Sequence, residues 1–255
     1  MSRNHVVSDT YAVTARNLIA YRRVPELLVF STIQPVLFVL LFRYVFGGAI
    51  NVPGVDYVDF LMPGIFAQTV VFGAIGTAVG LSNDLQSGLI ERFRSLPMAR
   101  SAVLTGRTLA DLVRNVFVLA LMCIVGVLIG WNAGNTVGGF LAAMGLLLLF
   151  GYACTWIFAS VGLAVRDAET AQAASFPVMA PIVFASSAFV PVSSMPGWLQ
   201  GFAKYQPLSV VCTASRDLLL GTDSGGHWVL GAIAWCVGII ALAFPLAVRR
   251  YRRSA

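Results

Sequence analysis

The chain has 255 residues, 58% of them hydrophobic and 11% charged, with a formal net charge of +6. A soluble domain carries roughly 25% charged residues, so these charges cannot cover a compact water-soluble fold, and the mean hydropathy of +0.82 makes lipid the solvent for most of the chain. The positive charge does not indicate nucleic acid: it is arginine flanking apolar stretches, with Lys204 the sole lysine, and that pattern reports membrane orientation.

Ser8 is suited to cap a first helix. Beyond it Tyr11, Ala15, Leu18 and Ile19 fall on one side, with Arg16, Arg22 and Arg23 elsewhere, which predicts an amphipathic helix lying in the cytoplasmic interface. Pro25 turns the chain into the membrane, and Pro35 is expected to kink the first span. Six stretches approach the ~20 apolar residues that a crossing needs. They are Leu27–Gly47, Phe60–Gly80, Leu109–Gly130, Val137–Val165, Ala171–Val190 and Trp228–Val248.

The segments between the spans are informative. Ser82–Arg100 reads SNDLQSGLIERFRSLPMAR. Leu85, Leu89, Ile90 and Phe93 form a helical stripe against Asp84, Glu91, Arg92 and Arg94, and Pro97 ends it. This predicts a short charged helix, either an interfacial connector or a docking surface for a soluble partner. Pro191–Gly221 is too apolar for a solvated loop. It is also too broken by Pro191, Pro196, Gly197 and Pro207 to span. Two short helices dipping into the outer leaflet fit it, with Trp198 and Tyr205 at the interface. The tail Arg249–Arg253 anchors the last span beside anionic lipid.

Thirteen of the 17 basic residues then fall on one side, which places both termini in the cytoplasm. The opposite loops hold only Lys204 and Arg216, while Arg43 and Arg114 lie within or at the ends of spans.

What is missing also constrains function. There is no GxxxxGK[ST] loop to cradle ATP phosphates, and Lys204 sits in GFAKY on the outer side. His5 and His227 lie outside or at the edge of spans, which excludes HExxH and intramembrane Ser/His arrangements. No metal site is expected. Cys123, Cys154, Cys212 and Cys236 form no CxxC pair and read as free packing residues. No cleavable signal peptide is apparent in the first 25 residues. Acidic residues are expected to be absent from the middles of spans, unlike in ion-coupled carriers. An enzyme and a secondary transporter are therefore disfavoured, and a transporter powered by a separate subunit survives.

Three stretches carry a family resemblance. Asp84–Leu112, DLQSGLIERFRSLPMARSAVLTGRTLADL, resembles the cytoplasmic loop of ABC-2-type exporter permeases at Asp84, Gly88, Glu91, Arg92, Pro97, Arg100, Gly106 and Arg107. The N-terminal RNLIAYRRVPELLVFSTIQPVLFVLLFRYVFG resembles the family start through Arg22, Pro25, Pro35 and Phe46-Gly47. Phe189–Pro207 resembles its outward re-entrant hairpin through Pro191, Met195-Pro196, Trp198-Leu199 and Pro207. The similarity covers essentially the whole chain and is strongest to daunorubicin-resistance-type membrane subunits of actinobacteria.

The resemblance implies a single all-α transmembrane domain over 1–255, with six crossings, an N-terminal interface helix, a cytoplasmic coupling helix and an outward hairpin. It implies an ATP-driven exporter in the bacterial inner membrane, built from two such permeases (copies, or related chains) and two cytoplasmic ATPase subunits. ATP and magnesium would be held by the ATPase, with no cofactor in this chain. The coupling residues would be Asp84, Gly88, Glu91, Arg92, Phe93 and Pro97. Cargo would pass along the first, second and fifth spans, past Gln34, Gln68, Thr69, Ser175, Ser186 and Ser187. These polar groups could equally be glue between helices. Three functions remain open: export of an amphipathic drug or lipid, export of a lipid-linked glycan, and a non-transporting membrane scaffold.

Overall fold

The computed structural model describes residues 3–23, 26–50, 52, 54–89, 100–132, 134, 136–221 and 226–253. Among these there is no strand. The helices are α1 (Arg3–Arg23), α2 (Glu26–Leu40, continuing as a π-helical turn Leu41–Phe46), α3 (Tyr57–Gln86), α4 (Arg100–Leu128) and α5 (Val137–Gly162). They continue as α6 (Ala168–Phe184), a 3₁₀ turn (Val192–Ser194), α7 (Gly197–Tyr205), α8 (Pro207–Leu220) and α9 (His227–Arg253). Four of them, α3, α4, α5 and α9, are long and apolar enough to cross a membrane.

α3 is the hub of the packing. Leu61, Ile65, Phe66, Val70 and Ala74 along it are all buried, against partners on α5 and α6 such as Leu147, Phe150 and Val183. At one end of the bundle Leu81, Leu104, Trp156 and Tyr251 form a second apolar cluster. Large apolar side chains also point outward, among them Leu37, Tyr44, Ile124, Val127 and Leu242. An exterior this apolar suits lipid rather than water.

Several expectations are revised. α3 runs further than its apolar stretch at both ends and α4 begins earlier than its own, with Ser82 and Thr108 buried in these extensions. α6 stops at Phe184 instead of Val190. Pro177 and Pro181 weaken its ladder, and Ser186–Ala188 turn back to meet α8, with the Ser187 amide donating to Ser209 Oγ at 2.9 Å. Its start is well capped: the Asp167 carboxylate accepts from the Thr170 amide at 2.7 Å and from its hydroxyl at 2.8 Å. The amide bond is the main cause that holds this carboxyl below its usual range.

α1 forms, but it packs through a different face from the one its pattern suggested. Val13 is buried, and Thr14 donates to the Gly106 carbonyl at 3.0 Å, so α1 is tied to α4. Tyr11 and Ile19 remain exposed. The expected charged helix beginning at Ser82 is also revised. Ser82 to Gln86 are the last turns of α3, and the chain breaks at Gly88, whose φ of +67° is left-handed. Only glycine takes that conformation cheaply. Glu91, Arg92, Phe93 and Pro97 lie outside the described residues.

Candidate functional site

Polar groups in this bundle collect at three levels, and each level joins residues far apart in sequence. The middle level surrounds a cavity of about 520 Å³ between α2, α3, α4 and α6. Gln68 lies eleven residues into α3, or about 16 Å along its axis. Gln34 from α2 and Gln68 and Thr69 from α3 line the cavity, as the sequence suggested. Pro35, Phe72, Val118 and Phe176 supply apolar walls.

The structure adds residues that the sequence argument missed. Ser31, Arg114, Asn115 and Gln172 also line the cavity. Arg114 is only 9% exposed, and Asp111 beside it on α4 is 1% exposed, with their side chains 3.8 Å apart. Thr77 donates to the Asp111 carboxylate at 2.6 Å. Arg114 donates to the Gly73 carbonyl of α3. The expectation that spans carry no acid in their middles is thus overturned at Asp111. Its carboxylate is tolerated because Thr77 and Arg114 replace the water it gives up. The Asp-x-x-Arg spacing of Asp111 and Arg114 was the available signal, since residues three apart share a face.

Two buried polar atoms at this level have no partner among the described residues: Gln68 Oε1 and Asn115 Nδ2. Both residues line the cavity, and buried amide atoms are normally satisfied.

The other three suggested path residues are not at the cavity. Ser175 is buried and its hydroxyl donates to the Ala171 carbonyl one turn back at 2.7 Å. Ser186 donates to Val183 O at 2.6 Å and accepts from the Ala188 amide at 3.1 Å. Ser187 belongs to a second level, built around Arg216.

Arg216 belongs to the outward segment expected to form two short helices; it sits on the second of them, α8, and is buried there, 7% exposed. Its guanidinium donates to Phe60 O at 2.8 Å, Ser187 O at 2.7 Å and Ala188 O at 3.2 Å. It also lies 3.6 Å from the Phe60 ring centroid, a close cation–π arrangement. The position is possible because Gly64 has no side chain: a Cβ there would strike the Ala188 carbonyl. Gln206, at the α7–α8 junction, donates to Ile182 O at 2.8 Å and so closes the same joint. Arg216 recurs at helical spacing with the buried Leu208, Cys212 and Leu219, and that periodicity was legible.

The third level joins α1, α3 and α4. Arg107 donates to Asp84 at 2.7 Å, and Arg16 approaches the same carboxylate at 3.9 Å. Asp84, suggested as a docking residue, is therefore engaged within the chain. Gly88 comes after it as the helix stop.

Comparison with known proteins points in the same direction. The model of the ABC-2 type transporter family matches residues 8–220. A daunorubicin resistance ABC transporter permease of Streptomyces coeruleorubidus is 36% identical over 255 residues, covering 99% of this chain and 89% of that protein. A Mycobacterium tuberculosis protein named for doxorubicin resistance as an ABC transporter permease is 27% identical over 251 residues, covering 98% and 90%.

Proposed function

The chain belongs to the ABC-2 type transporter family, and we propose that it is the membrane subunit of an ATP-driven exporter that moves an amphipathic drug or lipid out of the cytoplasm or inner leaflet. The observation that carries this is the cavity in the bundle, with apolar walls and the orphan acceptor of Gln68. Such a chamber can hold a largely apolar molecule and orient it through a few polar contacts. The names of the relatives support a drug as cargo.

In this proposal the whole chain is one transmembrane domain in a bacterial inner membrane. α2, α3, α4, α5, α6 and α9 cross it, α1 lies in the cytoplasmic interface, and α7 with α8 forms the outward re-entrant hairpin. The arginine distribution puts both termini in the cytoplasm. A second permease completes the path, and two cytoplasmic ATPase subunits bind ATP and magnesium, since the chain has no phosphate-binding loop of its own.

Gln68→Leu tests the cavity. The substitution removes an acceptor that has no partner among the described residues, so folding should be unharmed or slightly improved. Efflux of cargoes with different donor groups, assayed in matched vesicles, should change unequally. Equal loss for every cargo together with poor expression would assign Gln68 to helix packing instead.

Glu91→Ala tests the coupling to the ATPase. Beyond the stop at Gly88, the segment with Glu91, Arg92, Phe93 and Pro97 is proposed to dock on the ATPase, while Asp84 holds its root to α4 and α1. Truncating one partner of a desolvated charge contact costs ~2–5 kcal/mol. Glu91→Ala should therefore keep membrane insertion, weaken ATPase co-purification and abolish efflux. Wild-type association with wild-type efflux would show that the dock lies elsewhere, because a solvated surface charge contributes little.

A further inference from the structure

A second cavity, of about 660 Å³, opens between the α7–α8 hairpin and the start of α9. It takes no part in the central chamber, which α2, α3, α4 and α6 enclose. Lys204 and Tyr205 reach it from the last turn of α7, and His227, Trp228, Gly231 and Trp235 from the first turns of α9. Lys204 Nζ stands 5.3 Å from the Tyr205 ring centroid, and the rings of His227 and Trp228 are 4.9 Å apart. Gly231 leaves the floor open, with Val210 Cγ1 the nearest atom to an added Cβ at 3.5 Å.

The position of this cavity sets its level in the membrane. α9 is apolar enough to cross from His227 to Tyr251, so His227 and Trp228 mark one boundary of the hydrocarbon layer, where tryptophan and tyrosine rings sit well. The opposite boundary is the arginine-rich one. Two turns further along α9 from Trp235, on the same face, Leu242 is exposed, which extends an apolar flank away from the polar mouth. The only lysine of the chain thus stands above an apolar trough, beside an imidazole and three aromatic rings.

We propose that this groove is a binding site for an anionic phospholipid, with the phosphodiester at Lys204 and His227, the glycerol between Tyr205 and Trp228, and an acyl chain along Trp235 and the flank of α9. A basic side chain near the bilayer surface attracts an anionic headgroup, while its methylene stem covers apolar surface. The positive charge at the mouth disfavours a quaternary ammonium guest, which the aromatic rings alone would have suited. The site differs from the transport path, so it does not depend on the nature of the cargo.

The test uses the full chain, purified with its native partners and stripped of lipid, then titrated with phosphatidylglycerol or phosphatidylcholine and followed by native mass spectrometry. Wild-type protein should retain phosphatidylglycerol preferentially. Lys204→Gln should lower that retention about fivefold, Lys204→Glu should lower it further, and the preference for phosphatidylglycerol over phosphatidylcholine should shrink in both. Lys204 is exposed, so these variants should unfold at the wild-type temperature in neutral lipid. Trp235→Ala should weaken both lipids, since it removes chain contact rather than charge. Millimolar inorganic phosphate should not compete. Unchanged phosphatidylglycerol retention in Lys204→Glu, or competition by inorganic phosphate, would overturn the proposal. So would efficient crosslinking of position 235 to a second copy of the chain, which would assign the groove to a protein interface.

Discussion

Arg216→Ala should destabilise the chain by about 3–5 kcal/mol, because it removes several charge-assisted donors from a dry joint and leaves their acceptors behind. The carbonyls of Ser187 and Ala188, in the turn that follows α6, accept from this one guanidinium. Phe60 would also lose the cation stacked on its ring. For a chain of this size the unfolding midpoint should fall by roughly 10 °C. Arg216→Lys should recover only part of it, since an ammonium cannot match a planar fork that reaches three backbone oxygens on two elements. A local readout separates loosening of the hairpin from general instability. Cys212 lies one turn before Arg216 on α8 and is fully buried. In a background with the other three cysteines replaced, Cys212 should resist thiol reagents in the wild-type joint and react in Arg216→Ala well below the midpoint. A variant with the wild-type midpoint and a protected Cys212 would show that the hairpin is held by its apolar contacts alone.

Asp111→Leu should be nearly as costly, about 3 kcal/mol or more, through the charge it leaves uncompensated rather than the bond it removes. Arg114 would keep its place between α3 and α4 with its neighbouring carboxylate gone, and Thr77 would lose the acceptor of a 2.6 Å hydrogen bond. Asp111→Asn should fall in between, since an amide oxygen can still accept from Thr77 but carries no charge. The decisive variant is Asp111→Leu with Arg114→Leu. If the two act as a pair, the double substitution should recover most of the stability lost in Asp111→Leu, which a double-mutant cycle in detergent or bicelles would measure. Losses that simply add would show that the two side chains are stabilised independently. Recovery of folding without recovery of efflux would separate the role of Arg114 in the cavity wall from its role in packing.

By itself the sequence determined the solvent, the fold class and the approximate place of the long helices. Those properties depend on runs of residues next to one another in the chain. An apolar run such as Val137–Gly162 must satisfy its own backbone when no water is present, and a helix does that locally. The family was legible for a related reason: its motifs are short and contiguous, as in the stretch from Asp84 to Leu112. Gln34, Gln68 and Thr69 were also found, because amides and hydroxyls stand out in an apolar span.

Only the tertiary structure decided which polar residues face one another. The carbonyl of Phe60 and the guanidinium of Arg216 are 156 positions apart, and no local pattern joins them. A charge inside a span is costly on its own, so reading the chain one segment at a time gave Arg216 no buried partners and overlooked Asp111. Both charges are stable inside the bundle because partners from other helices take the place of water. The same reason accounts for Asp84. On the sequence it is one acid in a charged loop, free to face a partner, whereas in the fold Arg107 and Arg16 reach it first.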